Sequence, residues 1–156
     1  MIPLYSLFET HLTVSDLDRS MKFYGTVLGL QLAQVIEERR VAFYWIGAPG
    51  RSMLGIWEGG AAPQRVNLHI AFNVELPDLL EAPEHLRAAN IEPLDFWQKP
   101  ATQPVVLAWM PAASLYFRDP DGNLLEFISI LADLPRPDLG VVSWSDWQSL
   151  PLCVAP

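Results

Sequence analysis

The chain has 156 residues, 51% of them hydrophobic and only 18% charged. That is enough apolar material for one core and too little charge for extended disorder. A net charge of −8 speaks against a general binder of phosphate backbones and fits a small-molecule protein or a cleft that attracts cations.

A single cysteine, Cys153, cannot close an internal disulfide, as expected of a reducing compartment. The opening "MIPLYSLFET" has neither the basic region nor the apolar stretch of a secretory leader. The longest apolar run, "VVLAWMPAA", is short and broken by Pro111, so no bilayer span is predicted. These features predict a cytoplasmic protein with no nucleic-acid and no membrane partner.

In chain order, "LFETHLTV" alternates: Phe8, Thr10, Leu12 and Val14 share one face, and Glu9, His11 and Thr13 share the other, which predicts a strand. "SDLDRSMKFYGTVLGL" predicts a helix. Ser15 is placed to cap it, Asp16 and Asp18 suit its first turn, Leu17, Met21, Tyr24 and Leu28 recur at helical spacing, and Gly29 ends it. Three strands follow, "LQLAQVIEE", "RVAFYWIG" and "SMLGIWE". A linker, "GGAAPQR", then precedes what reads as a second start.

"NLHIAFNV" is a strand with Leu68, Ile70, Phe72 and Val74 on one face and Asn67, His69, Ala71 and Asn73 on the other. "LPDLLEAPEHLRAANI" predicts a helix despite Pro83. A weak strand near Leu94–Trp97 and strands around Val105–Trp109 and Ala113–Phe117 come next. Asp119-Pro-Asp-Gly is a turn signal, and Leu124–Ile130 is the last strand. The order is strand, helix and three strands, twice, with His11 and His69 at matching places 58 positions apart: an internal duplication. Residues 132–156 are not a third copy. They form a proline-rich tail whose Trp144 and Trp147 need a surface to pack on.

Glu126 stands among Leu124, Leu125, Phe127 and Ile128, where an unpaired carboxylate costs several kcal/mol. His11, His69 and Glu126, on three strands related by the duplication, form the ligand set of a divalent metal site. Two other readings stand beside this one. A strand histidine is commonly a hydrogen-bonded residue of the interior, and Glu126 can pair with an arginine such as Arg118 or Arg65. His85, next to Glu84 and Arg87 on the second predicted helix, reads as solvated.

The stretches "HLTVSDLDRSMKFYGTVLGL", "NLHIAFNV" and "YFRDPDGNLLEF" resemble the vicinal oxygen chelate superfamily, which includes glyoxalase I, extradiol dioxygenases, fosfomycin-resistance enzymes and bleomycin-resistance proteins. The resemblance spans about residues 6–131. It implies an α+β fold of two tandem βαβββ modules, about 6–58 and 65–131, with eight strands forming a U-shaped cleft and the helices outside. Residues 1–131 then form a single domain and 132–156 its tail. It also implies metal ligands at His11, His69 and Glu126, an iron, manganese, nickel or zinc ion, a small-molecule substrate and a homodimer.

Among members, glyoxalase I uses a fourth ligand on the fourth strand, where this chain has Gly55 or Ile56, with Glu58 slightly beyond. Extradiol dioxygenases share the closing motif from Tyr116 to Glu126, but the acid/base histidine that precedes their tyrosine has no counterpart in Leu107-Ala108-Trp109. Fosfomycin resistance requires a cationic cleft, and only Lys22 and Lys99 are lysines. Bleomycin-resistance proteins are acidic and aromatic-lined but normally lack the ligands. In such a binding protein, Trp45, Trp57, Trp97 or Trp109 would stack an aromatic or cationic ligand, although each also fits ordinary packing. The resulting expectation is a metal-dependent, glyoxalase-like lyase or isomerase acting on vicinal oxygens. Tyr116 is a candidate donor, Glu58 or Glu9 a candidate base, and a dioxygenase or a sequestering protein the alternative.

Overall fold

The computed structural model describes residues 6–59 and 67–150. Cys153, Arg65 and most of the predicted linker lie outside them. The chain divides into two compact units, residues 1–68 with 119–122 and residues 69–118 with 123–156.

The first unit follows the predicted order. Strand β1 (Glu9–Val14) leads to helix α1 (Leu17–Lys22), then β2 (Gln31–Ile36), β3 (Val41–Ile46) and β4 (Ser52–Glu58). The sheet order is β1-β4-β3-β2, with β1 and β4 parallel and the other pairs antiparallel. The alternation in β1 does what it predicts: Leu12 and Val14 are buried, while Glu9, His11 and Thr13 face away from that core.

Asp16, not Ser15, caps α1, its carboxylate accepting from the Arg19 amide. Ser15 is otherwise engaged, because its amide and hydroxyl both donate to Asp121. A π-helical stretch, Phe23–Val27, continues α1 and sets the rings of Phe23 and Tyr24 edge to face in the core. Gly29, at φ 67°, then turns the chain, a conformation that favours glycine.

Four residues of the Asp-Pro-Asp-Gly turn, 119–122, belong to this first unit. Asp121 accepts from Ser15, Arg19 and Ser20, and Asp119 accepts from the Tyr24 hydroxyl at 2.8 Å. Burial works against the Asp121 anion, but the Ser15, Arg19 and Ser20 bonds outweigh it and hold its pKa below the usual carboxylate value. For Tyr24, burial and then the Asp119 charge raise the phenol pKa.

In the second unit, β5 (His69–Asn73) is followed by α2 (Leu76–Ala88), β6 (Val105–Leu107), β7 (Ala112–Arg118) and β8 (Leu124–Ile130). The order β5-β8-β7-β6 repeats that of the first sheet. Helix α2 buries Leu79, Ala82, Pro83 and Leu86, each leucine contributing about 2 kcal/mol of apolar burial. Phe117 and Phe127 pack at 4.6 Å between ring centroids.

The weak strand near Leu94–Trp97 is reduced to one bridging residue. Leu94 pairs with Tyr116 of β7 and also with Pro100, so residues 94–100 form a tight loop with Phe96 and Trp97 in it. The Asp95 amide donates to the Lys99 carbonyl, and Asp95 Oδ1 accepts from the Lys99 amide. These local bonds compete with a continuous edge strand.

Eight strands are expected, but the described residues hold nine. Val141–Ser143 of the tail is β9, antiparallel to β6, and it covers backbone groups that an edge strand would leave unpaired. Helix α3 (Trp144–Ser149), capped by Ser143, follows and buries Trp147. Trp144, Trp147 and Leu150 line a groove of about 370 Å³ together with Ile130 and Leu134. The architecture is α+β, with sheets of four and five strands. Among the described residues, no helix is long and apolar enough to cross a membrane.

Candidate functional site

Each sheet presents a histidine from its first strand. In the second unit His69 lies on β5, and the parallel register sets Ala71 opposite Glu126 of β8. Two residues of offset let the ring reach the carboxylate, with His69 Nε2 3.0 Å from Glu126 Oε2. On the other side of β8, Tyr116 is the direct partner of Glu126. Its hydroxyl pKa is raised, first by burial and then by the Glu126 charge.

Glu126 is only 5% exposed. Its second oxygen, Oε1, is buried and has no hydrogen-bond partner among the described residues. Among the described residues His69 is the hydrogen-bond partner of Glu126, and Arg118 donates to the Gln98 side chain. A buried carboxylate with one oxygen on an imidazole and the other unanswered is a site for a cation or a donor.

In the first unit, His11 pairs across to Gly55, and its ring lies over that glycine: a β-carbon there would stand 3.0 Å from Cδ2 and 3.2 Å from Nε2. His11 Nε2 is 2.9 Å from Glu9 Oε1, and the Trp57 indole N–H donates to His11 Nδ1 at 2.9 Å. Trp57 stacks on the same ring, and Arg39 lies 4.6 Å over Trp57. The fourth-strand position facing His11 is therefore Gly55, which brings no carboxylate.

Glu58, a candidate base, pairs with Val14 at the end of β4. It accepts from the Leu17 amide at 2.8 Å and from Arg40 at 2.7 Å. The Arg40 bond, then the Leu17 bond, lower its pKa, so it is a helix-terminal anchor and a poor proton acceptor. Within neither unit do three His, Cys, Asp or Glu side chains of the described residues converge.

The aromatic candidates divide. Trp57 is committed to His11, whereas Trp97 and Trp109 are 58% and 45% exposed. Both meet Phe96 edge to face, and Phe96 in turn contacts Tyr116. Phe96 escaped sequence reasoning because a loop residue carries no periodicity. Trp57 as a partner of His11 escaped too, since the β1–β4 register is not written in either strand alone; a glycine at 55, two residues before a tryptophan, was the available signal. His85 is exposed on α2.

This fold agrees with the comparisons with known proteins. Residues 6–127 match the Glyoxalase/Bleomycin resistance protein/Dioxygenase superfamily, and the chain belongs to it. An integron cassette protein from the mobile metagenome of the Halifax Harbour sewage outfall is similar, with 28% identity, TM-score 0.65, and 81% of this chain and 100% of that one covered. Lactoylglutathione lyase from Agrobacterium tumefaciens shares the fold at 23% identity and TM-score 0.62, over 82% and 96% of the two chains. The fosfomycin resistance protein FosX from Mesorhizobium loti shares it at 21% and 0.56, over 84% and 95%.

Proposed function

We propose that the chain is a glyoxalase-like, metal-dependent enzyme in which His11, His69 and Glu126 hold one divalent ion (iron, manganese, nickel or zinc) beside a small substrate with vicinal oxygens. The observation that carries this reading is the buried Glu126 carboxylate, with one oxygen 3.0 Å from His69 Nε2 and the other unpartnered. Two adjacent ligands at ~2.1 Å from an ion stand about 3 Å apart, so this imidazole and carboxylate have a compatible spacing. When bound, the ion supplies Lewis acidity toward a developing oxyanion or enolate.

The chain's own groups do the rest. Tyr116 is protonated at neutral pH, as an ordinary phenol is, and burial and the Glu126 charge raise its pKa further, so it is a candidate hydrogen-bond donor to a substrate oxygen. Glu58 is already engaged by Arg40 and Leu17, which leaves Glu9, beside His11, as the better candidate base. A cytoplasmic homodimer is part of the proposal.

Metal analysis tests it. The protein stripped with chelator and titrated with Mn²⁺ or Zn²⁺ is expected to take one ion per chain. His69→Ala and Glu126→Ala should each weaken uptake at least about 100-fold without altering the far-UV spectrum. Full affinity in either variant overturns the ligand set.

A second reading is favoured by the exposed rings of Trp97 and Trp109 around Phe96: a binding protein that stacks an aromatic or cationic ligand. Ligand-induced tryptophan quenching that survives chelator would select it. The extradiol dioxygenase alternative keeps the three ligands but lacks a histidine in the Leu107–Trp109 stretch.

A further inference from the structure

Trp57 is a residue that the metal reading does not use, yet it makes the most specific contact to one of the proposed ligands. An indole N–H only donates, so the 2.9 Å bond from Trp57 Nε1 requires a lone pair on His11 Nδ1. A neutral imidazole carries one N–H. With Nδ1 accepting, that proton sits on Nε2, where Glu9 Oε1 accepts it at 2.9 Å. Both nitrogens are thus spoken for by partners of opposite character.

We infer that Trp57 fixes metal-free His11 as the Nε2–H tautomer and opposes its conversion into a metal ligand. The inference rests on the proposed ligand role of His11. Coordination through Nε2 needs the lone pair there, so the proton must move to Nδ1. There it would meet the Trp57 N–H, donor against donor. A histidine ligand ordinarily gives its remote N–H to a carboxylate, a carbonyl or water; His11 has an indole in that position instead. Trp57 is not free to turn away without cost, since its ring stacks on His11 and carries the Arg39 guanidinium on its face. His69 likewise has a carboxylate at Nε2, but among the described residues nothing donates to its Nδ1, so its proton can move there unopposed.

Trp57 is accordingly a positioning residue that sets how readily His11 takes a metal ion. Trp57→Phe keeps a ring against His11 and removes the N–H. Titrated with Zn²⁺ alone, the variant is expected to bind about 5-fold more tightly than the unaltered chain, the worth of one hydrogen bond no longer opposed. Nitrogen NMR of the metal-free unaltered chain should report His11 as the Nε2–H tautomer, a readout that needs no variant to fold. Equal or weaker Zn²⁺ affinity in Trp57→Phe, or an Nδ1–H tautomer in the metal-free chain, overturns the inference. His11→Ala separates the two ideas. If it loads Zn²⁺ like the unaltered chain while His69→Ala and Glu126→Ala do not, the ligand role of His11 is lost and this inference with it, and the second-unit corner stands.

Discussion

Two residues beyond His11, across the parallel pair, stands Trp57; at the matching place beyond His69 stands Glu126. One strand further on, Trp57 faces Val41 and Glu126 faces Tyr116. The two sheets share one strand order, so these are the same positions in two copies of one scaffold. One copy has become an anionic corner with a phenol beside it. The other is an aromatic corner whose carboxylate, Glu9, comes from the histidine's own strand. The matching histidines therefore meet different neighbours: a buried carboxylate at Glu126 and an indole N–H at Trp57.

The units also differ in how they are completed, and the largest expected effect tests that. Among the described residues only the second sheet has an added edge strand, and α3, which follows it, buries Trp147. Trp147→Ala should destabilise the chain by about 3 kcal/mol in urea unfolding. A change under about 1 kcal/mol would mean that the ninth strand is an ornament and the two sheets are equally self-sufficient.

The first unit is completed by Asp121 instead. Its pKa lies below the usual carboxylate value, so its contribution is fully present above pH ~4 and is lost as the pH falls through its folded pKa. Asp121→Asn should cost about 1–2 kcal/mol at pH 7 and flatten the acid limb of the stability curve. An unchanged acid limb would remove Asp121 from this role. The smallest effect sharpens the corners themselves. Gly55→Ala would put a methyl 3.0 Å from the His11 ring, which must shift by a few tenths of an ångström. A cost of about 1 kcal/mol is expected, with a displaced His11 ring resonance. A neutral substitution would show that the first corner is loosely packed.

Much of this was legible because it is periodic. Strands β4 and β8 have the bounds read from "SMLGIWE" and from Leu124–Ile130, and α2 runs through Pro83 as its pattern predicts. The out-of-place Glu126 signalled by its polarity that a partner was needed, and His69 stands 3.0 Å from it. What could not be read depends on contacts distant in the chain. Val141–Ser143 is too short to signal a strand and becomes one only on the open side of β6. Ser15 is drawn to an aspartate more than a hundred residues away, which leaves the capping role to Asp16, and the residue that answers His11 is decided by a register between β1 and β4.

That distant aspartate has a consequence for the chain during synthesis. When residue 68 is made, the residues of β1 to β4 have been synthesised, but Ser15, Arg19, Ser20 and Tyr24 lack their aspartate acceptors, because Asp119 and Asp121 are still untranslated. At roughly 5–20 residues per second, translation takes several seconds more to deliver the turn. The first half therefore spends that interval incomplete on the ribosome, and a fragment ending at residue 68 is the wrong unit to express. The first unit is complete only once residue 122 is made, just before β8 of the second.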